Sequence, residues 1–102
     1  MGKTLLKIDA HGIAEECAKL LKDEYGAKKV YLIGSLANRG RYTEYSDIDL
    51  AVVGLSSSLY FKALADLMRR YFSLTKIDLI PFEDCSKEFQ EKIINHGEVL
   101  ID

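Results

Sequence analysis

Two aspartates stand one residue apart in Asp47-Ile-Asp49, at the head of an apolar run that continues to Val53. Side chains alternate along an extended chain, so Asp47 and Asp49 share one face while Ile48, Leu50 and Val52 share the other. Neighbouring carboxylates repel, and one resists ionising unless a cation neutralises the pair. The simplest resident is a hard divalent cation, and Mg2+ commonly combines one or two carboxylates with substrate phosphates. The same alternation recurs in Lys76-Ile-Asp-Leu-Ile80, where Asp78 opposes Ile77 and Leu79. An acid in mid-strand is disfavoured by propensity and by desolvation. If the two segments lie side by side, three acids converge, which suits two metal ions that activate an attacking hydroxyl and stabilise a leaving oxygen. Asp47, Asp49 and Asp78 are therefore the expected metal ligands and catalytic acids, with Asp78 on the attacking side.

An anion site is expected just upstream. Gly34-Ser35 ends a short apolar run and precedes Leu36-Ala-Asn38, which can form a helical turn. Glycine lets the backbone approach an anion, and N–H groups at a helix start suit phosphate oxygens. Ser35 adds a hydroxyl, and Arg39 and Arg41 are positioned in the sequence to clamp outer phosphates. Neither a Walker loop nor a dinucleotide Gly-x-Gly-x-x-Gly is present, so a nucleoside triphosphate would be held in another way.

These residues carry a resemblance. Gly34-Ser35, then Asp47-Ile-Asp49 within Ser46-Asp-Ile-Asp-Leu-Ala-Val52, then Asp78 resembles the minimal nucleotidyltransferases, small relatives of the DNA polymerase beta superfamily. At the loop, members usually show Ala-Arg-Gly or Ala-Lys-Gly, whereas this chain has Ala37-Asn-Arg-Gly40. The resemblance implies that Asp47, Asp49 and Asp78 hold Mg2+ and that Gly34 and Ser35 bind the triphosphate. It implies transfer of a nucleoside monophosphate, usually AMP from ATP, to an acceptor hydroxyl. It also implies a HEPN-domain toxin as partner, silenced by AMP transfer to a tyrosine, with this chain as antitoxin. The alternative under the same resemblance is an inactive antitoxin that neutralises its partner by binding alone.

The elements that must position these groups follow from periodicity. Ile13, Cys17, Leu20, Leu21 and Tyr25 recur at helical spacing over about Ala10–Tyr25, with Asp9 as N-cap and Gly26 as a left-handed stop. Strands are expected at Lys29–Ile33, Ile48–Val53 and Lys76–Ile80. A second helix, capped by Ser57 or Ser58, turns Tyr60, Leu64, Leu67, Met68 and Tyr71 inward. A last helix runs from near Ser86 to Gly97 with Phe89 and Ile93 inward, and Glu98–Ile101 is an extended tail. The expected fold class is α/β (α+β), and the resemblance implies one nucleotidyltransferase domain over 1–102. A small mixed sheet should carry helices on one face and the carboxylates on the other. The connection 34–47 is long for a compact domain and rich in glycine, arginine and hydroxyl groups, which favours function.

Bulk properties narrow the partners. A net charge of −2 gives no general attraction to nucleic acid, so any anion must meet a local cation cluster. No apolar run approaches a membrane span, and the N-terminus lacks a secretory pattern. Cys17 and Cys85 are too few for a disulfide framework or a zinc site. A cytoplasmic setting is expected, and homo-oligomers are compatible with the composition. His11 and His96 are too far apart in sequence to form a pair by spacing. Tyr42 and Tyr45 offer rings for stacking on a base, and Arg69 and Arg70 offer charge to a partner.

Overall fold

Helix α1 (Ala10–Tyr25) buries Ala10, Ala14, Cys17, Ala18 and Leu21 along one stripe, and its small residues let it lie close to the sheet. The computed structural model of the chain describes residues 10–33, 48–71 and 73–102; the expected cap Asp9 lies outside them. Gly26 ends α1 at a φ of 74°, a left-handed conformation that costs a residue without Cβ little. Its N–H and that of Ala27 donate to the carbonyls of Lys22 and Leu21.

Four strands follow: β1 (Lys29–Ile33), β2 (Ile48–Val53), β3 (Ile77–Pro81) and β4 (Glu98–Ile101). They form a mixed sheet in the order β3-β2-β1-β4. β1 is antiparallel to both β2 and β4, and β2 is parallel to β3. The parallel step requires a crossover, supplied by helix α2 (Ser57–Tyr71). The residues expected as a tail thus form an edge strand, with Tyr31 opposite Val99.

Alternation divides the sheet as the apolar pattern requires. Val30, Leu32, Ile48, Leu50, Val52, Ile77 and Leu79 are buried on one face, beneath α1 and α2. Helix α2 begins one residue later than its cap, Ser56, whose Oγ accepts the N–H of Ser58 at 3.3 Å. Ala63 and Leu67 are its buried residues, with Tyr60, Leu64 and Tyr71 packed alongside. Met68, expected inward, is 44% exposed. Residues 67 and 68 lie about 100° apart on a helix, and Leu67 has taken the inward position.

The opposite face is not bare. A short 3-10 turn (Phe82–Asp84) and helix α3 (Lys87–His96) bring Phe82, Cys85 and Ile93 over Tyr31 and Ala51. Ser86 caps α3, its Oγ accepting the N–H of Phe89 at 3.1 Å. Phe89, also expected inward, remains exposed. The reason is at the other end of the helix: Gly97 approaches Ile33 and Tyr31 so closely that α3 seats through its C-terminal half. Two long helices therefore cover one face, and a short one shares the other with the carboxylates. Among the described residues no helix is long and apolar enough to cross a membrane.

Candidate active site

Asp49 and Asp78 are register partners across the parallel pair β2–β3. Each is the second residue of its strand, and the flanking Ile48, Leu50, Ile77 and Leu79 are all buried on the far side. Neighbouring strands lie about 4.8 Å apart, so two side chains on one face at one register level are close neighbours. Asp49 is half-buried and Asp78 exposed. The donor set is oxygen only and open to solvent, which fits a hard divalent cation and excludes a soft-metal site.

The antiparallel register places Ile33 opposite Asp49 on its other side. Ile33 and Ile48 are the described residues that flank segment 34–47, so both border Asp49. Five of the expected site residues, Gly34, Ser35, Arg39, Arg41 and Asp47, lie outside the described residues, as do Tyr42 and Tyr45. Among the described residues no group of three or more His, Cys, Asp or Glu is placed to hold a metal ion.

Tyr60 was read only as a core residue, yet it helps to fix this corner. Its hydroxyl donates to the carbonyl of Leu79, next in sequence to Asp78, and so ties α2 to β3. Burial, and then the charge of Asp78, push the Tyr60 phenol above its ordinary 10.0, so it stays a donor at neutral pH. Tyrosine at an inward helical position was the available signal, but its partner depends on how far α2 stands from the sheet.

The remaining candidates disperse. His11 sits between Glu98 (2.8 Å) and Glu15 (3.6 Å) and joins α1 to the β4 edge. His96 is an exposed residue of the last turn of α3. Cys17 is fully buried, and burial pushes its thiol up to about 12, which makes it a packing residue. Arg69 and Arg70 are exposed, but both engage Asp66, at 2.8 and 2.9 Å. Tyr25 donates to the other oxygen of the same carboxylate.

Residues 15–102 match the family described as polymerase beta, nucleotidyltransferase. The chain belongs to that family. This nucleotidyltransferase is 32% identical over 103 residues to a Methanocaldococcus jannaschii protein named as a protein adenylyltransferase, covering 97% of this chain and 99% of the relative. Its fold is also that of chains in toxin–antitoxin crystal structures. A toxin–antitoxin structure with AMP-PNP aligns at a TM-score of 0.65 and 23% identity, covering 91% of this chain and 73% of the other. An MntA–HepT complex aligns at 0.63 and 21% identity, covering 88% and 70%. A variant of that complex with two Asp-to-Glu substitutions aligns at 0.65 and 22% identity, covering 85% and 70%.

Proposed function

We propose that this nucleotidyltransferase uses Mg2+, as two ions, to transfer AMP from ATP to a hydroxyl of a partner protein. The acceptor in this reading is a tyrosine of a HEPN-domain toxin, and the chain is the antitoxin. The observation that carries the reading is the in-register pairing of Asp49 with Asp78 at the strand ends that border segment 34–47. Supporting it are the relative named as a protein adenylyltransferase and the fold shared with toxin–antitoxin chains. Residues 1–102 act as one domain in this proposal.

The roles follow from chemistry. Asp47 precedes Asp49 by two residues and joins it and Asp78 as an oxygen ligand. The metal, when bound, neutralises these acids and the charge that grows on the transferring phosphoryl group. Asp78 lies on the attacking side and draws the proton from the acceptor hydroxyl. As the hydroxyl oxygen bonds to the α-phosphorus, the bond to pyrophosphate breaks, and pyrophosphate leaves with its electron pair. Gly34 and Ser35 hold the triphosphate through backbone and hydroxyl donors, and Arg39 and Arg41 compensate the charge of the departing phosphates.

The test is incubation of the chain with labelled ATP, Mg2+ and purified HEPN-domain toxin, followed by mapping of the modified residue. The expected result is label on a toxin tyrosine that disappears with Asp49→Asn. Labelling that survives Asp49→Asn, or a neutralised toxin without label, overturns the proposal.

A further inference from the structure

The strands that carry Asp49 and Asp78 end, at their opposite extremities, on a groove that the transfer chemistry does not use. Leu55 follows β2, Pro81 closes β3, Tyr60 and Phe61 come from the start of α2, and Glu83 and Asp84 from the 3-10 turn. Together they line a cavity of about 490 Å3. Along the strand from Asp78 to Pro81, three residues at about 3.3 Å each put the near wall of this groove roughly 10 Å from the carboxylates, with Leu55 farther out.

Two properties define what fits it. The walls are apolar, and Phe61 is 77% exposed although an aromatic side chain is stabilised by leaving water. Tyr60 holds the ring edge-on at 5.1 Å between centroids, so it stands as a fixed wall. The rim is anionic. Glu83 is fixed by accepting the N–H of Gly54 at 2.7 Å. Neither Glu83 nor Asp84 has an ion pair among the described residues, while Asp66, Asp23 and Asp102 all have cationic neighbours. Two unneutralised carboxylates, Glu83 held in place and Asp84 exposed, beside an unburied aromatic ring match a side chain with an apolar stem and a cationic head. Arginine suits this best, since it stacks on a ring while donating to carboxylates.

We propose that this groove docks an arginine-bearing segment of the acceptor protein, flanked by apolar residues, and holds the acceptor while its hydroxyl reaches the carboxylates. The inference rests on the transfer function proposed above. Docking at the far end of the strands leaves the reacting corner open to nucleotide, and anchors the acceptor through transfer and release of pyrophosphate.

The test has two arms. In the first, labelling of purified HEPN-domain toxin is compared for wild type, Phe61→Ser, Asp84→Lys and the control Lys62→Gln, all at exposed positions. The proposal expects the KM for toxin to rise about tenfold or more in the two groove variants with kcat unchanged, and no change in the control. If wild type labels the toxin and the groove variants keep its KM, docking is refuted and the transfer function stands. If wild type labels nothing, the transfer function fails and the second arm decides. There, an acetylated Leu-Arg-Leu peptide at millimolar concentration should shift the amide resonances of Leu55, Phe61 and Asp84, while Leu-Glu-Leu should not. Absent or charge-independent shifts overturn the inference. So does a chain that sediments as a dimer and becomes monomeric with Phe61→Ser, because the groove would then seat a second copy.

Discussion

A carboxylate placed beside another on a parallel register destabilises a sheet unless something else requires it. Asp49 and Asp78 are such a pair. Asp78→Asn should cut nucleotidyl transfer by about a thousandfold or more, the scale on which a metal ligand stabilises developing charge. The same change should leave the thermal midpoint equal or higher, because it removes like-charge repulsion. A variant that melts early and loses activity in proportion would make Asp78 structural instead. Asp66 presents the opposite case: the hydrogen bond from Arg70, then that from Tyr25, holds its carboxyl below the ordinary 3.8. A depressed folded-state value means that the contribution is full above 3.8 and lost as the pH falls through the lowered value. Asp66→Asn should therefore cost about 1–2 kcal/mol at pH 7 in urea unfolding, with the gap from wild type closing under strong acid. A gap independent of pH would assign the loss to packing. Asp47 lies outside the described residues, but the placement of Asp49 and Asp78 on one face was legible because each stands opposite its apolar neighbours in an alternating strand. Asp66 was not, since Tyr25 is 41 residues away and only the seam of α1 and α2 brings them together.

Elements were readable where one periodicity dominated, and misread where two apolar residues competed for one inward position. The first two strand ranges and α1 follow from alternation and from the helical stripe. The third strand runs Ile77–Pro81 and not Lys76–Ile80, because an edge strand accommodates Pro81. Met68 and Phe89 could not be excluded from the core by spacing alone. What turned them outward is tertiary: Leu67 fits the sheet, and α3 is held at its C-terminal end. That second cause is open to test. A Cβ on Gly97 would stand 2.6 Å from the carbonyl oxygen of Ile93 and 3.0 Å from Cγ2 of Ile33. Backbone cannot yield as a flexible side chain can, so Gly97→Ala should cost about 1–3 kcal/mol and lower the midpoint by several degrees. Because Ile33 lies opposite Asp49, transfer should also fall at temperatures where the variant remains folded. An unchanged midpoint would mean that α3 is seated by Ile93 alone. A second element-scale effect concerns the α1–α2 seam at high pH. Burial, and then the hydrogen bond to Glu16, push the Tyr71 phenol up to about 12. A raised value gives stability that is full below 10 and lost as the pH climbs towards 12. Wild type should unfold on alkaline titration, and Tyr71→Phe should flatten the dependence in that window.

At the scale of the whole molecule, the sheet joins a corner of paired carboxylates to a core that has no tolerance for charge. Among the described residues every buried one is hydrophobic, so stability comes from packing, and in the proposed function the paired acids repel each other until ligand arrives. This arrangement couples ligand to fold. A ligand that binds only the folded chain at about 100 times its dissociation constant adds about 2.7 kcal/mol. For a domain of this length that corresponds to a rise of about 10–20 °C in midpoint. AMP-PNP and Mg2+ together should produce such a rise in wild type, and either alone should produce much less, because the nucleotide brings the negative charge that the metal must share with the acids. EDTA should return the midpoint to its starting value. In Asp49→Asn the synergy should vanish while any effect of nucleotide alone persists, since the triphosphate donors assigned to Gly34 and Ser35 are untouched. If AMP-PNP alone gave the full shift, with no response to Mg2+, the paired carboxylates would be bystanders to nucleotide binding.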